Sequence, residues 1–232
     1  VFYTSLGGVQ AVAWIDVKQM FVIVFGLVSA VVVLILGFPA DVGMGQVLRI
    51  AGSTGRLAAL DFRFDLSQTY TFWSGLVGGL FLMLSYFGCD QSQVQRYLTA
   101  KSADEARRGL LLSAYVKIPL QILILSTGVL VFMYYVFTPP PMLFNRIHDA
   151  EVVASARASD YTSLQREFDQ AFENRRAAAS AENRSAFLEA DARMVDIRAR
   201  AASIVREASG DARYSDVNYV FPTFITTRLP IG

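Results

Sequence analysis

Three long runs of apolar residues constrain the fold of this chain more than any other feature. No charged residue occurs from Met20 to Phe38 or from Thr71 to Gly88, and the run from Leu110 to Phe137 holds one charge, Lys117. A helix needs about 20 consecutive apolar residues to cross the hydrocarbon core of a bilayer. We therefore expect an all-α integral membrane chain with three transmembrane helices. The predicted spans are residues 11–38, 70–88 and 109–137.

The composition changes after Pro139, Pro140 and Pro141. Residues 146–209 are rich in Ala, Arg, Asp and Glu, and they contain no Pro or Gly. Such a sequence favours helix, and we expect two helices that break near Ser180 to Asn183. Its charges are typical of a solvated face. The predicted division is a transmembrane part (1–141), a charged helical insertion (142–215) and a short interfacial helix before a further span (216–232).

Several classes of protein are disfavoured by what the sequence contains. Of the 232 residues 53% are hydrophobic and 18% charged, and the net charge of +1 comes with no basic face, so we expect no nucleic-acid partner. Cys89 is the single cysteine, which excludes an internal disulfide. We find no catalytic cluster, nucleophile elbow or phosphate loop, and we expect neither an enzyme nor a bound cofactor. Because the chain begins with Val and has no leader pattern, we expect an internal piece of a longer protein.

The turn at residues 90–108 predicts the orientation in the membrane. It carries four basic side chains in a short stretch, namely Arg96, Lys101, Arg107 and Arg108. Basic residues in short loops favour the cytoplasmic side. We therefore expect a multi-pass protein of the plasma or inner membrane, with residues 90–108 cytoplasmic. Residues 40–69 and 138–232 are then extracytoplasmic.

Three segments carry recognisable motifs. They are GGVQAVAWIDVKQ at residues 7–19, GCDQSQVQRYLTAK at residues 88–101, and NYVFPT at residues 218–223 followed by LPIG at 229–232. Together they resemble the sodium:solute symporter family of sodium-coupled sugar, proline, pantothenate and multivitamin transporters. Ile15 and Lys18 depart from the usual residues of the first motif.

The resemblance implies a partial inverted-repeat (LeuT-like) bundle, in which solute lies near the midplane where helices are broken. The chain would supply three helices of that bundle. In the family the sodium ligands lie on helices that this chain lacks, so the resemblance implies no complete sodium site here. The implied partners are a small solute with sodium as coupling ion, the lipid bilayer and the remaining helices of the transporter. No partner is implied for the insertion.

The resemblance also implies roles for residues of the solute pathway. Tyr86 and Phe87 match aromatic residues at the solute gate, and Lys117 matches a lysine that lines the solute site. Met83 stands where sugar-transporting members have an amide side chain, and a thioether cannot replace that set of donors and acceptors. The resemblance therefore disfavours a hexose. A purely physical alternative for Lys117 is that its ammonium reaches toward the lipid headgroups.

Further roles are implied near the cytoplasmic side. Asp16 matches an acidic residue along the inner sodium path, and the alternative is a headgroup-level carboxylate paired with Lys18 or water. Asp90, Gln91 and Arg96 are expected to fix the end of a helix and its turn rather than to touch solute.

Two functions are weighed on this basis. The first is a fragment of a sodium-coupled secondary transporter that imports a small organic solute or ion by alternating access. The alternative is a membrane-anchored sensor or interaction protein whose functional module is residues 146–209. A simple anchor does not need Asp16, Lys117 and a Gln-rich turn, since polar groups within a membrane are costly.

Overall fold

The computed structural model describes residues 2–57, 61–65, 67–68 and 71–228, and the regular structure within them is entirely helical. This confirms the all-α prediction. The helices are α1 (Phe2–Leu36), α2 (Met44–Ser53), α3 (Phe72–Gly88), α4 (Gln91–Leu98), α5 (Ala103–Phe137), α6 (Asp149–Ala154), α7 (Ala158–Ser180), α8 (Arg184–Ser209) and α9 (Val220–Arg228), with a 3₁₀ turn at Val217–Tyr219.

Two of these helices can cross a bilayer by their length and composition. They are Ala11–Leu36, which follows a break in α1 at Gly8, and Ala103–Phe137. The break occurs because Gly8 has a positive φ of 56°, which a residue with a side chain rarely adopts. The third apolar helix, Phe72–Gly88, has 17 residues and lies at the lower limit of about 17 for a span. A third crossing therefore stays a prediction.

The chain forms two compact units, described here one at a time. One consists of residues up to Val28 together with 58–126, and the other of residues 29–57 together with 127–232. Helices α1 and α5 contribute to both units.

In the first unit, side-chain caps fix where the helices begin. Thr71 and Ser74 form a reciprocal capping box at the start of α3, in which each hydroxyl accepts from the other residue's amide. The Trp73 indole donates to the carbonyl of Phe62 at 3.0 Å. The Ser102 hydroxyl accepts from the amide of Glu105 at the start of α5, as the capping-box pattern Ser-x-x-Glu at residues 102–105 predicts. The capping bonds therefore define where α3 and α5 begin.

In the second unit, α7 and α8 form a helical hairpin whose turn lies at residues 181–183, within the predicted break. The core of the hairpin is apolar and extends to the residues that flank it. Helix α8 ends at Ser209, and Gly210 after it adopts the left-handed conformation with φ 72°. The core consists of Met142, Leu143, Val152, Leu164, Phe168, Ala171, Phe172, Met194, Ile197, Ala201, Ala202, Ile204, Val205 and Tyr214.

The turn of the hairpin packs against α2 and the last turns of α5. Phe187, Ala178 and Ala179 share one buried cluster with residues of these two helices. On the rim of this contact Arg49 of α2 donates to Glu182 at 2.8 Å. The other members are Val47, Ile50, Ala51, Met133, Val136 and Phe137.

A separate buried cluster joins the ends of α1 and α5 to α9. Phe224 of α9 is fully buried beside Tyr134 of α5, with ring centroids 5.6 Å apart. Gly37 follows α1 where an added Cβ would lie 3.1 Å from the Tyr134 ring, so a larger residue would push that ring away. The other members are Ala30, Leu34, Val131, Tyr135 and Phe144. Leu229 to Gly232, which end the third sequence motif, lie outside the described residues.

The two ends of the insertion are fastened to each other. One carboxylate oxygen of Asp216 accepts from the amides of Phe144 and Asn145, and its other oxygen pairs with Arg198 of α8. The Tyr214 hydroxyl donates to the carbonyl of Asn145 at 2.6 Å.

The prediction that the charges of residues 146–209 form a solvated face is wrong for part of the hairpin. Arg175 is only 6% exposed, and its guanidinium donates to Asp191 at 2.9 Å. These charges are buried because the hairpin packs against α2 and α5, which the charge pattern along the sequence does not reveal.

Candidate functional site

The aromatic pair at the end of α3 lies next to the single charge in the apolar run of α5. The rings of Tyr86 and Phe87 meet edge to face, with centroids 5.1 Å apart. The ammonium nitrogen of Lys117 lies 5.2 Å from the centroid of the Phe87 ring. A cation within about 6 Å of a ring face is attracted by the ring quadrupole. The structure thus brings together three of the predicted site residues.

Lys117 lies beside an irregular hydrogen-bonding position in α5. Pro119 is inside the helix, two residues further along. A proline has no amide N–H, so the carbonyl of residue 115, four positions before it, loses its helical donor. An ammonium and a carbonyl without its helical donor, within one helical turn, give this part of α5 a polar character that a purely lipid-facing helix lacks.

The Tyr86 hydroxyl is held by a residue that sequence reasoning did not select. Gln93 of α4 donates from Nε2 to this hydroxyl at 2.6 Å. The bond fixes the orientation of the Tyr86 ring, and it joins α3 to α4 across the intervening turn. The sequence shows only that the motif is rich in glutamine. This composition does not indicate which glutamine bonds to the Tyr86 hydroxyl.

Met83 and Asp16 are two further residues that the sequence analysis named. Met83 lies one helical turn before Phe87 on α3, and its side chain is 45% exposed in this chain. Asp16 lies on α1 and is partly buried. A role of either residue in moving solute or sodium stays a prediction.

Asp90 begins α4. Its carboxylate accepts from the Ser92 amide at 2.8 Å and from the Ser92 hydroxyl, which together cap the first turn of the helix. These bonds hold the pKa of Asp90 below its usual value. Gln91 is the exposed first residue of α4, and Arg96 lies within the same helix. The side chain of Arg96 is outside the described set.

A pocket of about 480 Å³ with polar and apolar lining residues lies between α4 and the start of α5. The Glu105 side chain at its edge accepts from the backbone amide of Lys101 at 2.8 Å. The pocket is close to the Gln93–Tyr86 bond, because Gln93 lines it. Other lining residues include Tyr97, Thr99, Gly109 and Ser113.

Within the described ranges no group of three or more His, Cys, Asp or Glu side chains could hold a metal ion.

In the second unit, a buried arginine of the insertion bonds to the end of α5. Arg175 donates from one terminal nitrogen to the carbonyl of Tyr135 at 2.7 Å and from the other to Asp191. Asp191 also lies 3.9 Å from Arg56, whose guanidinium stacks 4.1 Å from the centroid of the Phe132 ring. No prediction from the sequence included these contacts, since they join residues far apart in the chain.

Comparison with known proteins places these features in context. The sequence profile of the sodium:solute symporter family matches residues 1–162, which include the first two motifs and leave out the third. The chain is 35% identical to the human (Homo sapiens) sodium/iodide cotransporter over 147 residues, which are 61% of this chain and 22% of that protein.

Two further relatives are similar over 137 and 109 residues of the chain. The sodium-dependent multivitamin transporter of Oryctolagus cuniculus is 38% identical, with 57% of this chain and 20% of that protein covered. The sodium-coupled monocarboxylate transporter 2 of Mus musculus is 39% identical, with 47% and 17% covered. The chain thus spans about a fifth of the length of these relatives. No solved structure matches it. The profile covers well over half of the chain, and on that ground the chain belongs to the sodium:solute symporter family.

Proposed function

We propose that this chain is part of a sodium-coupled secondary transporter that imports a small organic solute or ion by alternating access. The observation that carries the proposal is the ammonium of Lys117 beside the Phe87 ring, next to Tyr86, in a chain that belongs to a family of sodium-coupled transporters. The relatives reported above are transporters rather than enzymes, which agrees at the family level with the prediction that this protein is not an enzyme.

The proposed solute is an anion. Two of the relatives are named for iodide and for monocarboxylates, both of which are negatively charged. The Lys117 ammonium supplies a positive charge, and the ring edges of Tyr86 and Phe87 carry partial positive charge as well. The thioether of Met83 offers no paired donor and acceptor for sugar hydroxyls.

The proposed fold of the complete protein is an inverted-repeat bundle with the solute near the midplane. Residues 90–108 would face the cytoplasm, and residues 40–69 and 138–232 would lie on the other side of the plasma or inner membrane. Sodium would bind mainly to helices outside this chain, with Asp16 along its inner path. The alternative of a membrane-anchored sensor gains no support from the comparisons.

The test is uptake by membrane vesicles that contain the full-length parent protein. Iodide, monocarboxylates, vitamins, amino acids and sugars would be offered with and without an inward sodium gradient. We expect sodium-dependent accumulation of an anion and none of a hexose. A sodium ionophore, which abolishes the gradient, is the control. If none of these solutes accumulates although the protein is shown to be inserted and folded, the proposal is overturned.

A further inference from the structure

The end of α5 lacks the amide donors that normally follow a helix. The last helical bond runs from the Thr138 amide to the carbonyl of Tyr134 at 2.8 Å. The next three residues are Pro139, Pro140 and Pro141, none of which has an N–H. The carbonyls of residues 135 to 137 therefore have no amide donor four positions further along the chain.

These carbonyls belong to a buried part of the molecule. Val136 and Phe137 are buried against α2 and the turn of the hairpin, and Tyr135 is buried in the cluster that α5 shares with α1 and α9. A buried carbonyl that gives up water without gaining another donor is destabilising. The sequence of α5 thus creates a need for a donor from elsewhere in the fold.

Arg175 of α7 meets this need at Tyr135. Its guanidinium donates to the Tyr135 carbonyl at 2.7 Å, and the residue is almost completely buried. A cation at the C-terminal end of a helix also interacts favourably with the helix dipole. Lys or Arg side chains are known C-terminal caps when they bond to the last carbonyls of a helix.

The guanidinium is held in this position from two sides. Asp191 of α8 accepts from its second terminal nitrogen at 2.9 Å, and the Phe172 ring lies 5.9 Å from its central carbon. Asp191 is itself largely buried and lies close to Arg56, which packs on Phe132 of α5. The same carboxylate therefore faces two guanidinium groups that both contact α5.

We propose that the insertion is a clamp on the end of α5, with Arg175 as the positioning residue that caps this helix in place of the amides removed by the prolines. The clamp joins α7, α8, α2 and the last turns of α5 into one body, so that they move together whenever the transporter changes state. The inference concerns the insertion and goes beyond the proposed function, because it does not depend on the identity of the solute.

The first test is hydrogen exchange on the full-length protein in lipid nanodiscs. Arg175→Met keeps an unbranched apolar stem and removes all donors. We expect exchange of the amides in the last turn of α5, including Thr138, to accelerate at least about tenfold. Arg193→Met is the matched control, because Arg193 is an exposed arginine of the same hairpin that pairs with Glu167, and it should leave α5 unchanged. Unchanged exchange at α5 in Arg175→Met, with the hairpin still protected, would overturn the proposal.

Two further variants keep the test informative if Arg175→Met does not fold. Asp191→Asn preserves the shape of the pair but weakens the anchor of the guanidinium, and it should accelerate exchange at the end of α5 by a smaller factor. Pro139→Ala supplies a backbone amide, and when combined with Arg175→Lys or Arg175→Met it should return part of the lost protection. Equal exchange in the single and double variants would contradict the assigned role of the prolines.

Transport kinetics separate the clamp from the solute site. A looser end of α5 should lower the turnover of solute while its KM stays within about twofold, whereas a change at Lys117 should raise KM. The exchange measurement needs no solute. A failure to find sodium-dependent uptake would therefore overturn the proposed function alone, and unchanged exchange would overturn the clamp alone.

Discussion

Lys117 is the single charge in an otherwise apolar run, and its ammonium lies over an aromatic ring. Contact with the face of Phe87 contributes on the order of 0.5–2 kcal/mol, which offsets only part of the cost of placing an ammonium in a membrane. An anionic solute would supply the remaining stabilisation. This arrangement makes the residue a sensitive point at which to test solute binding.

Lys117→Ala in the full-length protein should raise the KM for the solute about tenfold, corresponding to about 1.4 kcal/mol of binding free energy. The sodium concentration for half-maximal uptake should change much less, because the sodium ligands are proposed to lie elsewhere. Initial rates of uptake at varied solute and sodium concentrations measure both. Lys101→Ala removes an exposed lysine from the turn and serves as the control. Uptake kinetics identical to those of the unaltered protein would mean that Lys117 only reaches toward the headgroups.

Asp61 and Arg63 form an exposed pair in the segment before α3. The Arg63 guanidinium, which donates to the carboxylate, lowers the pKa of Asp61 from 3.8 to about 2. Because the pKa is lower in the folded chain, the pair favours the folded loop above the ordinary pKa, and this contribution is lost as the pH falls through about 2.

Arg63→Gln should therefore return the pKa of Asp61 toward 3.8, while the loop remains insensitive to pH above about pH 5 in both proteins. A carbon-13 titration of the Asp61 carboxyl in detergent micelles measures this. Arg49→Gln, which removes a guanidinium bonded to Glu182, should leave the titration of Asp61 unchanged. An unshifted pKa in Arg63→Gln would show that the guanidinium is not the cause.

Single-residue predictions from the sequence succeeded where the relevant partner is nearby in the chain. The cap of Ser102 on Glu105 could be predicted because three residues separate the two groups. The bond from Gln93 to Tyr86 could not be predicted, because the two residues lie on either side of a turn whose geometry the sequence does not define. The bond from Arg175 to Tyr135 joins residues 40 positions apart and depends on how whole helices pack.

At the scale of elements, the α7–α8 hairpin has two distinct apolar surfaces. One forms the core between its own helices, and the other, at its turn, packs on α2 and α5. The sequence predicted the two long helices and the position of their break, because a long stretch without Pro or Gly favours helix. It did not predict the separate short helix α6 before them. It did not predict the second surface, which consists mostly of alanines around a single phenylalanine, Phe187. Small residues of this kind carry little hydrophobic periodicity.

Phe187→Ala should weaken this second contact and leave the hairpin core intact. Phe187 is 2% exposed, and replacing a buried Phe by Ala costs about 3–5 kcal/mol. Native-state hydrogen exchange should show faster opening of α2 at Met44–Ser53 with little change within α8. Val195→Ala, at a position on α8 that is 63% exposed, is the control. Equal loss of protection in α2 and throughout α8 would mean that the two surfaces do not act separately.

At the scale of the whole molecule, family membership and two apolar helices of sufficient length support a membrane protein. The family could be inferred from the sequence because its motifs at residues 7–19 and 88–101 are local. The extent of the match could not be inferred from these motifs, since the profile continues to residue 162 and ends inside α7. The orientation in the membrane depends on the basic turn at 90–108 and stays a prediction.

The orientation can be tested with single cysteines in a Cys89→Ser background, because Cys89 is the native thiol and is exposed. An impermeant thiol reagent applied to intact cells should label Ser180→Cys and spare Ser102→Cys, since the two lie on opposite sides in the proposed topology. Both positions are exposed in this chain. Permeabilised cells, in which both should react, provide the control. Labelling of Ser102→Cys alone in intact cells would reverse the topology.

Asn145 is hydrogen-bonded to the residue just before Asp216, and this bond has a consequence for how such a protein can arise. The Asn145 amide side chain donates to the carbonyl of Ser215 at 3.1 Å, so the chain returns almost to the point from which it departed. A coding sequence could therefore gain or lose the intervening segment in one event without displacing the flanking helices. Related genes should differ in length between these two positions, and those that lack the segment should also lack the run of prolines that makes its arginine necessary.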